Sequence, residues 1–129
     1  MGVGRMSTPL ARVRGLGSAR SGTEHFWLQR LTAVANIPLT ICFIVVVVAL
    51  LGRNHAAVVQ ILGSPLVAVL MLLFIISITT HMRIGMQVII EDYVHQERRK
   101  LALIIANTFF AIGIAVAGVF AILTLSFKV

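Results

Sequence analysis

The residues best suited to chemistry in this 129-residue chain lie in one stretch, residues 77–95. The stretch is largely apolar, but it contains an imidazole at His81 and ends near a carboxylate at Asp92. A helix turns about 100° and rises about 1.5 Å per residue, so Asp92 lies roughly 20° around and roughly 16 Å along the helix from His81. One helix face therefore combines a metal-binding side chain, a glycine slot and an acid. We call this face the His81 stripe, and its residues are Ser77, His81, Gly85, Val88 and Asp92.

His81 is an ionisable residue within an apolar run. Such residues are expensive in a bilayer, face protein or a cavity, and are functional hypotheses by default. A neutral imidazole binds metals and haem iron, and its second nitrogen then needs an acceptor. Gly85, one turn further on, would leave a groove for a flat ring, although glycine also serves ordinary helix packing. Two interpretations stay open: a haem ligand, or a neutral histidine hydrogen-bonded to a neighbouring helix.

A haem held between helices normally has a second axial ligand. The other histidines, His25, His55 and His95, all lie at or beyond the membrane boundaries, so none shares the depth of His81. If His81 binds haem, we expect the second ligand to come from another protein chain.

Two arginines could pair with an anionic group near such a cofactor. Arg83 lies about 200° around the helix from His81 and therefore points elsewhere. It either snorkels to the nearer membrane surface or reaches a haem carboxylate or quinone region. Arg30, at the entrance of the first apolar run on the same side, is a second candidate for pairing with such anions.

Asp92 and Tyr93 are adjacent at the membrane boundary. A phenol can donate a hydrogen bond to a quinone carbonyl, and a neighbouring carboxylate can orient it and transfer protons. The ordinary alternative is a tyrosine of the interfacial belt beside an aspartate in a solvated loop. These two residues alone favour the ordinary alternative.

Apolar runs of transmembrane length must position these groups. The chain is 59% hydrophobic with a mean hydropathy of +1.02. Charged residues make up 12% of it, against about 25% in ordinary globular proteins. We predict an all-α integral membrane protein with three transmembrane helices that form part of a heteromeric helix bundle, because three spans alone make a thin bundle. The predicted spans are 31–51, 65–90 and 101–125, within a membrane anchor of residues 25–129.

Residues 1–24 form a predicted mobile basic tail, since their Gly, Ser and Arg cannot bury enough apolar surface to fold alone. The composition also suits an organelle transit peptide, but a basic tail that touches anionic lipid is the better interpretation. Cys42, the single cysteine, is interpreted as a small packing residue in the first span. Residues 56–64 are interpreted as a short, mildly apolar connector between the first two spans.

The net charge of +7 is explained by membrane topology and not by nucleic-acid binding, because aromatic residues are not interleaved with the Lys and Arg residues. Five arginines precede the first span and three basic residues follow the second, whereas only Arg53 and Lys128 lie on the other side. This count, eight against two, predicts a cytoplasmic N-terminus, or a matrix-facing one in an organelle.

Taken together, these motifs resemble the hydrophobic membrane-anchor subunits of succinate dehydrogenase (respiratory complex II), in their alphaproteobacterial and mitochondrial branch. The resemblance is carried by His81-x3-Gly85-x6-Asp92-Tyr93-Val94-His95. The entrance of the first span is similar as well: His25-Phe26-Trp27-Leu28-Gln29-Arg30-Leu31-Thr32-Ala33. The resembling motifs cover about residues 25–95.

The resemblance implies that His81 is an axial ligand of haem b, paired with a histidine of the cytochrome b anchor subunit. It implies that Tyr93 hydrogen-bonds ubiquinone, with Asp92 beside it, and that Arg30 lies near the haem propionates, with Arg83 in the same environment. The implied partners are the cytochrome b, iron–sulphur and flavoprotein subunits and membrane lipid. The chain would then carry no catalytic residue of its own.

The expected location is the bacterial inner membrane, in preference to the mitochondrial inner membrane, with a cytoplasmic N-terminus. The resemblance leaves two alternatives for the function. One is the anchor of a fumarate reductase. The other is a non-redox membrane scaffold or transporter subunit, in which His81 and Arg83 satisfy buried partners.

Overall fold

A computed structural model describes residues 8–15 and 21–127, and this part of the chain is helical throughout apart from its turns and ends. Its elements are α1 (Pro9–Val13), α2 (Ser21–Leu50), α3 (His55–Leu62), α4 (Pro65–Tyr93) and α5 (Glu97–Phe127). Helices α2, α4 and α5 are long and apolar enough to cross a membrane. The predicted all-α architecture with three membrane spans is confirmed.

The long helices extend beyond the apolar runs that locate them in the sequence. Helix α4 continues through Glu91 and Asp92 to Tyr93, and α5 already begins at Glu97. The polar segment of residues 91–100 is therefore mostly helical, with a break only at residues 94–96. The reason is that Glu, Arg and Lys are good helix formers, so the apolar pattern stops before the backbone hydrogen bonding does.

The connection between the first two spans also contains a helix. Gly52 closes α2 with a φ of +70°, a left-handed conformation that glycine adopts without strain. Asn54 then caps α3, since the Ala57 amide donates to its Oδ1 over 2.9 Å. Pro65 occupies the first turn of α4, where its missing N–H leaves no backbone bond unmade.

Helix α4 is the centre of the bundle, because it packs against α2 on one side and α5 on the other. Phe74 of α4 stacks on Phe43 of α2 with the ring centroids 4.7 Å apart. Gly118 of α5 lies against Ile75 of α4 so closely that a Cβ would come within 3.0 Å of it. The buried residues of α4 lie along most of its length: Ala68, Met71, Phe74, Thr79, Ile84 and Ile90.

Part of the predicted basic tail lies outside the described residues. Positions 1–7 and 16–20 are not described, and neither is Lys128. The described portion of the tail contains α1 and the first turn of α2. The mobility of residues 1–24 therefore stays a prediction.

Gly63, directly after α3, allows this connection to pack against α5. A Cβ at this position would lie 2.8 Å from the backbone oxygen of Leu125 and 2.8 Å from that of Val59, which is too close for carbon and oxygen. We expect Gly63→Ala to destabilise the fold by about 1–3 kcal/mol, because backbone atoms cannot move away cheaply. Thermal unfolding in mild detergent, followed by helical circular dichroism, measures the loss.

Gly113→Ala is the matched control, since a Cβ there meets nothing within 4 Å. We expect no loss of thermal stability in this variant. Equal destabilisation by both substitutions would contradict the role assigned to the close backbone packing around Gly63.

Candidate functional site

Helix α2 covers the membrane-buried half of the His81 stripe. The Ser77 hydroxyl donates to the backbone oxygen of Thr32 over 3.5 Å, and His81 Nδ1 lies 3.2 Å from the Thr32 hydroxyl oxygen. One turn further on, a Cβ built on Gly85 would lie 3.5 Å from Nε2 of Gln29. The structure thus brings three consecutive positions of the stripe against α2, and the glycine slot is bounded by the side chain of Gln29.

The remainder of the stripe is not covered. Val88 is 48% exposed, and Asp92, one turn later, is exposed at the end of α4. His81 itself is half-buried. The stripe therefore runs from a contact between helices to an open surface.

Thr32 is one of two buried polar residues in the described chain, with 8% of its surface exposed. Its hydroxyl lies 2.8 Å from the backbone oxygen of Leu28 and 3.2 Å from that of Gln29, in addition to its contact with His81. The His81 ring is thus held at one nitrogen. No described residue forms a hydrogen bond with the other nitrogen, Nε2.

Polar side chains recur along α2 beside this contact. Gln29, Thr32 and Asn36 are spaced three and four positions apart, which places them on one helix face. Gln29 Oε1 and Asn36 Oδ1 are both buried without a hydrogen-bond partner. The motif at the first-span entrance includes Gln29 and Thr32, but nothing in that motif predicts that they lie beside Gly85 and His81, respectively. Their helical spacing in an otherwise apolar run is the signal that could have indicated it.

Arg83 lies on another side of α4. It lines a groove of about 190 Å³ between α4 and α5, with Thr79, Thr80, Ala111, Ile112 and Ala115. The backbone of Arg83 also contacts α5, since the side-chain amide of Asn107 donates a hydrogen bond to the Arg83 backbone oxygen over 2.9 Å. His81 and Arg83 therefore do not share a surface of this chain, and the structure does not bring them together.

Arg30 lies on α2, close to the contact with His81 in sequence but directed to the exterior. Its side chain is exposed, and its guanidinium carbon lies 5.2 Å from the ring centroid of Phe26. Phe26 in turn packs edge-on against Trp27, with centroids 6.1 Å apart. Aromatic and arginine side chains of this kind are typical of a membrane–water boundary.

Asp92 and Tyr93 are the last two residues of α4, and both are exposed on the surface of the chain. Tyr93 is 78% exposed, and Asp92 is exposed beside it. The turn that carries them is held by Lys100 of α5, whose ammonium donates to the backbone oxygen of Glu91 over 3.0 Å. This pair lies on the same side of the membrane as the start of α2, at the end of the stripe farthest from the connection of residues 51–64.

The site offers a single nitrogen ligand to a metal. Within residues 8–15 and 21–127, no group of three or more His, Cys, Asp or Glu side chains is placed to hold an ion. One imidazole held at Nδ1, with no hydrogen bond at Nε2 from the described residues, fits a single nitrogen ligand to a haem held between two chains. The described residues could therefore supply one ligand, and a second would have to come from another chain.

Comparison with known proteins gives a consistent family. The model of the succinate dehydrogenase/fumarate reductase transmembrane subunit matches residues 4–115. Over 118 residues the chain is 35% identical to the succinate dehydrogenase hydrophobic membrane anchor subunit of Paracoccus denitrificans, covering 92% of this chain and 91% of the relative. The protein of the same name from Rickettsia bellii is 30% identical over 113 residues, which cover 88% and 90% of the two chains.

A third relative comes from Reclinomonas americana. It is a succinate dehydrogenase membrane anchor subunit, 34% identical over 98 residues that cover 74% of this chain and 82% of the relative. No solved structure matches the chain significantly.

Proposed function

The chain belongs to the succinate dehydrogenase/fumarate reductase transmembrane subunit family, and from this membership we propose that it is the hydrophobic membrane anchor of succinate dehydrogenase. The observation that carries the proposal is the family match over residues 4–115, together with three apolar helices of membrane-spanning length. In this role the chain is a non-catalytic subunit, and succinate oxidation takes place on a soluble partner.

The bundle exposes the surfaces that an anchor needs. On α2, Leu31 and Val34 lie within two positions of Thr32 and are 67% and 68% exposed, so apolar surface is left for lipid or for a companion helix. The start of α5, beside the end of α4, carries Arg98 and Arg99, which are both exposed. We propose that the iron–sulphur and flavoprotein subunits dock at this end, which the count of basic residues predicts to face the cytoplasm in a bacterium.

We propose that His81 would hold the iron of a haem b shared with a cytochrome b subunit. Its Nε2 is the nitrogen available to iron, since Nδ1 contacts Thr32. When bound, haem b supplies a one-electron redox centre. Arg30 is the arginine we propose for the haem propionates, because it belongs to the helix that contacts His81. The same role for Arg83 stays a prediction, and this side chain lines the groove beside α5.

Tyr93 and Asp92 are the proposed contribution to the ubiquinone site. The exposed phenol can donate a hydrogen bond to a quinone carbonyl, and the adjacent carboxylate can pass a proton from water. Both side chains are exposed on this chain. The rest of the quinone pocket would therefore come from the companion anchor and the iron–sulphur subunit.

Fumarate reductase is the second candidate, because the description of the matching family includes its transmembrane subunits. The curated relatives named above are all succinate dehydrogenase anchors, which favours succinate oxidation. The non-redox scaffold alternative would leave the family match without an explanation.

Docking is tested by purifying the affinity-tagged chain from its native membranes in mild detergent. We expect succinate oxidation with a soluble dye acceptor to co-purify with it, because the flavoprotein subunit would be retained. An unrelated tagged membrane protein from the same membranes is the control. Recovery of the intact chain without succinate oxidation above this control would contradict the anchor function.

The haem assignment is tested with His81→Ala in the purified complex. We expect the haem b absorption bands to disappear, since the only membrane-buried imidazole of the described chain is removed. His55→Ala is the matched control, because His55 is exposed at the start of α3, and it should leave the bands unchanged. Unchanged bands in His81→Ala would remove His81 as the ligand.

The quinone assignment is tested with Tyr93→Phe, which removes the hydroxyl but keeps the ring. We expect succinate–ubiquinone reduction to fall about 10-fold or more, while succinate oxidation with an artificial acceptor is retained. Glu97→Gln, an exposed substitution nearby, should leave both activities unchanged. Equal loss of both activities in Tyr93→Phe would indicate an assembly defect instead of a quinone contact.

A further inference from the structure

We propose that Thr32 is a positioning residue for His81: its hydroxyl accepts a hydrogen bond from Nδ1–H and thereby leaves Nε2 as the unprotonated, iron-binding nitrogen. The binding of iron by Nε2 rests on the proposed haem function. The tautomer of His81, in contrast, is a property of the protein chain alone.

The direction of the hydrogen bond follows from a count of protons. The Thr32 hydroxyl has a single proton, and two kinds of neighbour lie within reach: the backbone oxygen of Leu28 at 2.8 Å and His81 Nδ1 at 3.2 Å. A carbonyl oxygen only accepts, so the shorter contact takes the threonine proton. The hydroxyl oxygen then has lone pairs left, and Nδ1 must be the donor.

The opposite arrangement, in which the Thr32 hydroxyl donates to an unprotonated Nδ1, is less favourable inside the helix bundle. If Nδ1 were unprotonated, Thr32 would have to turn its proton away from the backbone of its own helix. Whenever the Thr32 hydroxyl donated to the Leu28 oxygen instead, its own oxygen and the unprotonated Nδ1 would face each other as two acceptors. Thr32 is buried, so water does not readily compensate either loss. The neutral ring therefore carries its proton on Nδ1.

This tautomer has two consequences for a bound metal. Nε2 is left with its lone pair and can bind iron without first losing a proton. The Nδ1–H bond also fixes the orientation of the ring and raises the basicity of the ligand, and loss of such a bond typically lowers metal affinity about 10–100-fold. A more basic ligand favours the ferric state, so removal of the Thr32 hydroxyl should raise the haem reduction potential.

The first experiment reads the tautomer without haem. The full chain, labelled with ¹⁵N-histidine in detergent micelles, is measured by long-range proton–nitrogen NMR, and the His81 signals are assigned by their loss in His81→Gln. We expect Nδ1–H in the wild type and in Thr32→Ser, which restores a hydroxyl. In Thr32→Val, which has nearly the same shape, we expect the population to move toward Nε2–H.

The second experiment measures haem in the purified complex. We expect Thr32→Val to weaken haem retention about 10-fold and to raise the reduction potential, and Thr32→Ser to restore both. Thr108→Val is the matched control, since the Thr108 hydroxyl makes the same bond to the carbonyl four residues earlier, at Ile104, but on α5. It should leave the spectrum and the potential unchanged.

The outcomes separate this inference from the haem assignment. Wild-type His81 protonated on Nε2, or a Thr32→Val complex with unaltered haem retention and potential, would overturn the positioning role. Haem bands that survive His81→Ala would instead overturn the ligand assignment, and with it the effect of Thr32 on haem, whatever tautomer NMR shows. A general packing defect would be expected to appear in Thr32→Ser as well, whereas recovery in that variant supports the hydrogen bond.

Discussion

A polar side chain inside a bilayer has to find its hydrogen-bond partner within protein, and the arrangement of this bundle depends on that constraint. Helix α4 carries polar groups on two sides. Ser77 and His81 meet Thr32 of α2, while the backbone at Arg83 receives a hydrogen bond from Asn107 of α5. Apolar contacts alone would let the three helices rotate, because lipid is as apolar as leucine. The polar contacts select one register for each neighbour.

The same constraint shows where the chain is incomplete. Gln29 Oε1 and Asn36 Oδ1 are buried on α2 without partners, on the face that carries Thr32. Val88 and Asp92 continue the His81 stripe onto open surface. Two unpaired buried acceptors and a stripe that α2 covers only in part agree with a chain that packs against other subunits. The family to which the chain belongs consists of transmembrane subunits, and this incompleteness agrees with such a role.

Much of the architecture could be predicted from the sequence, because lipid imposes simple rules. Apolar runs of about twenty residues must be helices that span the bilayer, and three such runs predict three spans. The helix ends could not be placed in the same way. Residues 91–93 and 97–100 are polar yet helical, since hydropathy reports the solvent that a residue prefers and not its backbone hydrogen bonding. Helix α3 lies in the segment interpreted only as a connector for the same reason.

For the site, the sequence by itself determined which groups share a face. The 3.6-residue period places Ser77, His81 and Gly85 in one stripe, and this follows from helix geometry alone. Only the tertiary structure decided what each face meets: Thr32 against His81, Gln29 against Gly85, and the groove beside α5 for Arg83. Helix periodicity specifies angles within one helix, whereas the pairing of two helices depends on their relative rotation and shift. Those are decided by packing and by polar contacts distant in sequence, such as the one that joins positions 32 and 81.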